Sequence, residues 1–313
     1  MRAVGVSMVR NEADVIEAFV RHNLRVLDAL HVVDHGSFDG TGEVLVALAR
    51  EGLPLTVTHD PSLAQRQAEV LSAAAHAAFA AGADIVFPLD ADEFLRIPDR
   101  PLAERVIAGV PAGLNAALHW RTHIVDFDAA PPAHPLAAVR TRLAAERHGL
   151  HKVVLTRAFA EAPAAMLGPG SHTVWQDCAR APPSADARIA RVAPAVAALA
   201  HVPVRSAGQL SGKVTQGWLA HRAARPANPE LAFHWRELHD EIRRDGPPSQ
   251  ARLLDIAVNY GLPQAQWRPA RDVERVYDPL ALDVELRYGA LVRRDTAQIA
   301  REFAERLARA IAT

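Results

Sequence analysis

An α/β fold, with a mostly parallel central sheet flanked by helices, is what the first ninety residues predict, on three observations. Short apolar runs recur at Ala3–Val9, Ala29–Val33, Leu53–Thr58 and Ile85–Leu89, as expected of strands buried on both faces. Segments with helical periodicity separate them: Ile16, Phe19, Val20, Asn23, Leu24 and Leu27 share one face, and Glu43–Arg50 and the Ala-rich Gln65–Ala80 follow. Polar turns then stand at strand ends: Asn11-Glu12, D-H-G-S-F-D-G-T, and D-A-D-E. In parallel sheets ligands collect at the C-terminal ends of strands, so these turns are the candidate site.

After Pro98 the pattern loosens. A short helix is expected near Leu102–Ala108, strands at Leu114–Arg121, His151–Thr156, Ser171–Trp175 and Ala197–Val202, and loops at Ala129–Pro135 and Ala181–Pro194. From Ser206 the pattern is largely helical, closing with Ile299, Phe303, Leu307 and Ile311 spaced by four behind Asp295 as N-cap. The expected division is residues 1–205 as the catalytic domain and residues 206–313 as a helical C-terminal extension.

Half of the 313 residues are hydrophobic, enough for a sizeable core. Thirty-five Lys and Arg against 36 Asp and Glu give a formal net charge of -1, which argues against a protein held on nucleic acid by a general basic field. The one cysteine, Cys178, excludes an internal disulfide framework and a thiolate zinc site. The N-terminus turns polar too early for a signal-peptide core, and no run approaches the ~20 apolar residues of a membrane span. A cytoplasmic protein is expected, with peripheral attachment at the inner face of a membrane left open.

The most informative stretch is I-V-F-P-L-D-A-D-E-F-L, where a buried strand ends in Asp90, Asp92 and Glu93. Like charges so close repel unless a cation intervenes. Alternation along the strand puts Asp90 and Asp92 on one side, and all-oxygen donors suit Mg2+ or Mn2+ with positions left for diphosphate oxygens. The competing reading makes one acid a helix cap and Glu93 a solvated charge, which accounts for one carboxylate rather than three.

V-S-M-V-R-N-E, V-V-D-H-G-S-F-D-G-T, F-P-L-D-A-D-E-F and H-V-P-V-R-S, in this order, resemble the GT-A-fold glycosyltransferases of family 2, in particular their bacterial branch. The resemblance is strongest over residues 1–95 and extends to about residue 218. It implies a nucleotide-diphospho-sugar donor, a UDP-sugar being weakly favoured, a Mn2+ or Mg2+ cofactor, inverting transfer, and a saccharide or glycolipid acceptor in polysaccharide or glycoconjugate synthesis.

By the same resemblance Ser7 and Glu12 contact the nucleotide and Asp34 accepts a hydrogen bond from the base, although His35 stands where many relatives carry a second acid. Asp90 and Asp92 match the D-x-D signature, with Asp92 on the metal and Asp90 on ribose or a metal-bound water. His201 is placed as a late metal ligand, with His172 as rival. Arg66, Lys152, Arg205 and Lys213 are candidates for the phosphates, each also readable as an ordinary charged residue. The acidic pair that supplies the general base in such enzymes is not obvious. Asp177 is the candidate, with Asp126 and Asp128 as alternatives.

Two other readings stay open. A sugar-phosphate nucleotidyltransferase also binds metal and nucleotide at sheet ends, but would carry a Gly-rich basic N-terminal loop where Val4–Glu12 has only Gly5. A nucleotide-sugar-binding or scaffolding protein without turnover would fit the missing acidic pair. An aspartate-based phosphatase is disfavoured because its D-x-D belongs on the first strand.

Overall fold

A computed structural model describes residues 1–129, 134–175, 189–223, 233–280, 282–293, 301–306 and 308–309. The expected α/β fold is present. The N-terminal half runs β1 (Ala3–Val9), α1 (Ile16–Asn23), β2 (Ala29–Asp34), α2 (Thr41–Arg50), β3 (Leu55–His59), α3 (Gln67–Ala80) and β4 (Ile85–Leu89). All four strands are parallel, in the order β3-β2-β1-β4.

Every residue of β1 is buried because both faces of the sheet are covered. Phe19, Leu45 and Leu48 of α1 and α2 pack on one face, and Leu71 and Ala75 of α3 on the other. At ~25 cal/mol per Å², each of the Leu and Phe side chains contributes roughly 2 kcal/mol on burial. Pro88 sits inside β4 opposite Val6, and alternation turns its missing N–H away from β1, to the side where β4 is bridged two residues earlier, at Val86.

A second, mixed sheet continues the molecule. It is built from β5 (Glu93–Arg96), β6 (Asn115–Val125), β7 (Val139–Leu143), β8 (His151–Val154), β11 (Ile189–Arg191), β12 (Ala198–His201) and β13 (Arg275–Tyr277), with the long β6 at its centre. Between these lie α4 (Arg100–Ala108), α5 (Arg157–Ala160) and the short pair β9 (Met166–Leu167) and β10 (Val174–Trp175). One antiparallel bridge, Val86 to Leu155, joins β4 to the end of β8 and so links the two sheets.

After residue 205 come α6 (Ala207–Ala223), α7 (Phe233–Asp245) and α8 (Gln250–Val258), and residues 301–306 are helical as well. After the buried β12 one further strand is described, β13, which returns to pair with β7 at the surface. Its three residues, R-V-Y, are too few to show a period. β5 (E-F-L-R) and β7 (V-R-T-R-L) are likewise absent from the sequence expectation. Phe303 of the C-terminal pattern is fully buried against Phe38 and Ala220, whereas Asp295, Ile299, Leu307 and Ile311 lie outside the described residues.

Candidate functional site

β1 ends in a residue that departs from ordinary backbone geometry. Asn11 has φ of 54°, the left-handed region that side chains seldom occupy and Asn tolerates best. Its side chain holds the strained turn: Oδ1 accepts from the Phe38 amide at 2.8 Å and Nδ2 donates to Gln216 Oε1 at 2.5 Å. The first turn after β1 is thereby tied to the loop after β2 and to α6, and Glu12 is turned inward.

β4 ends in a second tight turn. The Asp90 amide donates to Glu93 Oε2 at 2.8 Å and the Glu93 amide to the Asp90 carbonyl at 3.1 Å. β5 then leaves antiparallel to β12, which sets Glu93 opposite His201. The other edge of β5 is held by Asn23 of α1, whose amide donates to the Glu93 carbonyl at 3.0 Å and accepts from the Leu95 amide at 2.9 Å.

These turns wall a cavity of about 600 Å³ at the C-terminal edge of the parallel sheet. Arg10, Glu12 and His35 come from the ends of β1 and β2, residues 65–69 from the start of α3, and Asp90 and Asp92 from β4. Trp120, His172, His201, Lys213, Gln216 and Tyr260 close it from the second sheet and the C-terminal helices.

The structure brings Glu12, Asp90, Asp92, Lys152, His201, Arg205 and Lys213 into one charged network, but divides it between two groups of cations. Asp92 is buried, with Lys213 Nζ on its Oδ2, His201 Nε2 at 3.6 Å and Arg205 Nη1 at 3.8 Å. Burial opposes its ionisation, yet Lys213 and Arg205 prevail and hold its pKa well below the carboxylate range. Burial raises Glu12 against the pull of Lys213 and Arg205. Arg205 is enclosed by its partners: Nε and Nη2 grip Asp14 at 2.7 and 2.9 Å, Nη2 also donates to Glu12, and Nη1 reaches the Val202 carbonyl at 3.3 Å.

Asp90 turns to the other group. Lys152, 2 % exposed, donates to Asp90 Oδ2 at 2.8 Å and the Gly170 carbonyl at 3.0 Å, with Glu93 Oε2 at 2.9 Å. Gln67 donates to Asp90 Oδ1 at 2.6 Å. Burial pushes the Glu93 carboxyl up, against the pull of Lys152.

The remaining expected residues are placed differently. Ser7 is fully buried within β1, its Oγ without a partner. Asp34 accepts from the Ser37 amide at 3.1 Å and lies 3.4 Å from His59, and it is His35 that reaches the cavity wall. Arg66 lines the cavity half exposed and paired with Glu69 at 2.9 Å. His172 lines it too, its Nδ1 donating to the His151 carbonyl at 2.6 Å and its pKa held down to about 4 by burial and Lys152. Asp126 lines a different cavity, of about 630 Å³, which touches Arg205 and Lys213 from the far side. Asp128 is exposed, and Asp177 lies outside the described residues.

Sequence reasoning missed Asp14, Gln67, Arg10 and Tyr260. Asp14 stands two residues past Glu12 in N-E-A-D, and its proximity was a signal. Arg10 is a clip, donating to the carbonyls of His35 at 2.7 Å and Ser62 at 2.8 Å. Tyr260 arrives from a loop that only the packing of α8 places.

Among the described residues no group of three or more His, Cys, Asp or Glu side chains is arranged to hold a metal ion. Asp92 and His201 offer two ligands. Burial keeps the His201 ring neutral and its Nε2 faces Asp92 Oδ1 at 3.6 Å, so the pair fits a divalent cation as a partial set completed by ligand oxygens. Asp90, committed to Lys152 and Gln67, does not join them as placed.

No helix among the described residues is long and apolar enough to cross a membrane. No family model matches the chain, and no curated protein matches it. Among solved structures it is similar to S. aureus TarS 1-349 in complex with UDP, at 11% identity and a TM-score of 0.40 over 83% of this chain and 73% of that one. It is similar to the Pyrobaculum calidifontis mannosyltransferase PcManGT in complex with GDP-Man and Mn2+, at 16% identity and a TM-score of 0.38 over 84% and 77%. S. aureus TarS itself gives 12% and 0.38 over 82% of this chain, which spans 42% of that protein's length. At these values the likenesses carry no functional argument, and the architecture rests on the sheet order above.

Proposed function

We propose that the chain is a glycosyltransferase of GT-A type that moves a sugar from a nucleoside-diphosphate donor to an acceptor hydroxyl. The observation that carries this reading is the convergence of Glu12, Asp92, His201 and Lys213 on the wall of a cavity at the C-terminal edge of a parallel sheet. Lys213 is the more exposed cation there. Its side chain keeps 22% exposure and, among the described residues, its ammonium pairs with Asp92 and Glu12, whereas Arg205 is saturated by the chain itself. An entering diphosphate therefore draws Lys213 away from Asp92, and the released carboxylate with His201 is the pair to hold Mn2+ or Mg2+, which would neutralise the departing diphosphate. Arg66 and Lys152 flank the same space, Lys152 by fixing Asp90.

Asp177 remains our candidate for the general base of an inverting transfer. Residues 1–205 are taken as the catalytic domain and residues 206–313 as an extension that contributes Lys213, Gln216 and Tyr260. A saccharide or glycolipid acceptor fits this reading, as does a site at the inner face of a membrane.

The test is thermal stabilisation by a panel of nucleoside diphosphates and nucleotide sugars, UDP and GDP-Man included, with Mn2+ and with chelator. Wild type should gain several degrees with one nucleotide plus metal, and Asp92→Asn should gain none. No shift with any nucleotide would sink the reading. A nucleotidyltransferase would instead release pyrophosphate from a nucleoside triphosphate and a sugar phosphate.

A further inference from the structure

β7 and β8 pair with the same edge of β6, β7 at residues 123–125 and β8 at residues 116–119, because β12 occupies the opposite edge. Between them Trp120 to Thr122 lack a strand partner on that edge, and residues 144–150 arch across the gap. Beneath the arch is a cavity of about 400 Å³. Trp120 and Leu150 line both this cavity and the one holding Asp92.

The second cavity is lined by Arg121, Arg142, Arg191, His119, His148 and His151, against one carboxylate among the described residues, Glu146. That carboxylate is engaged by the Thr122 amide at 2.5 Å, Thr122 Oγ1 at 2.9 Å and His148 Nε2 at 3.2 Å. Arg142 is paired with Asp278 at 2.8 Å. Arg121 has no carboxylate in ion-pair range among the described residues, only the Pro194 carbonyl at 3.5 Å. His151 is 8% exposed and neither ring nitrogen has a hydrogen-bond partner, nor has the buried Trp120 Nε1. Unpartnered buried nitrogens are uncommon and call for an explanation. The cations also oppose one another: burial and then Arg142 lower Arg121, and burial, Arg191 and Arg121 lower His119. Arg121, without a carboxylate in ion-pair range among the described residues, and the unpartnered His151 and Trp120 nitrogens beside it suit an oxyanion, which a guanidinium binds in bidentate fashion.

We propose that this cavity binds a phosphate-type oxyanion carried by the acceptor, with Trp120 as the wall between acceptor anion and sugar donor. The assignment to the acceptor rests on the transferase reading; the anion site does not. The volume admits a group larger than one phosphate, and an acceptor reaching round Trp120 presents its hydroxyl on the donor side.

Binding of inorganic phosphate is measured by calorimetry on the full chain, in wild type, Arg121→Gln and Lys213→Met. The affinity should fall at least tenfold in Arg121→Gln and hold in Lys213→Met. Equal affinity in wild type and Arg121→Gln, or loss confined to Lys213→Met, overturns the site. Arg121→Gln removes a repelled charge and should melt no lower than wild type; if it fails to fold, His119→Gln replaces it.

Sugar transfer is then compared between a sugar and its phosphate ester as acceptors. A tenfold preference for the ester, lost through KM in Arg121→Gln while turnover on the neutral sugar is unchanged, supports the proposal. Arg121-dependent phosphate binding without any preference marks a free-anion site and overturns the acceptor assignment. Absence of transfer to every acceptor, with phosphate binding intact, overturns the transferase reading and leaves the anion site standing.

Discussion

Lys213 and a divalent cation compete for one carboxylate, so each should be visible through the other. In Lys213→Met, Asp92 loses its nearest positive neighbour and keeps Arg205 at 3.8 Å. A buried carboxylate that loses its partner costs about 3–5 kcal/mol. Its melting temperature should fall by several degrees in chelator, and Mn2+ should raise it more than it raises wild type. Equal Mn2+ responses would show that the two cations do not share Asp92. Glu93 gives a second readout at this scale. Its pKa rises from 4.5 to about 8, chiefly through burial. Between those values the folded carboxyl keeps a proton that the unfolded chain releases, so its contribution to stability is full below pH 4.5 and is lost as pH rises through 8. Against Glu93→Gln, which lacks this titration, wild type should lose stability between pH 5 and 8 by about 1 kcal/mol per pH unit. Parallel stability profiles would refute it.

At the scale of elements, the site depends on a strand that the sequence barely announces. β5 has four residues, paired to β12 on one edge and to the Asn23 side chain on the other. Asn23→Ala leaves a buried amide and a buried carbonyl unpaired and should cost about 2–3 kcal/mol; denaturant unfolding measures it, and a loss under 0.5 kcal/mol would show that β5 does not need the clamp. The β-α units before residue 90 were legible because each apolar run is long enough to show its period and ends in turn residues. Asn23 was legible as a member of a buried helical face and not as a clamp, since its partners lie seventy residues on. Likewise the acids Asp90 and Asp92 were legible as a pair, while their division between Lys152 and Lys213 was not. That division follows from β8 and α6 arriving on opposite sides of the turn, and no local pattern encodes it. Asp34 sits at the strand end that its motif indicates, but an Asx turn claims its side chain, and Ser7 is buried inside β1.

For the whole molecule, two sheets with different jobs meet above the site. The parallel sheet supplies the acids and the mixed sheet supplies His201, Trp120 and, from β8, Lys152. Every β1 amide is covered by helices on both faces and by strands on both edges, which places it with the slowest protons to exchange. The Val86 and Leu155 amides, at 3.0 and 2.8 Å from each other's carbonyls, are the backbone bonds that span from one sheet to the other. Hydrogen exchange should release these two well before β1, and a bound nucleotide should slow them; release together with β1 would show a single cooperative unit. The bridge is then a crease, along which the walls of the cleft part and close while each sheet stays whole.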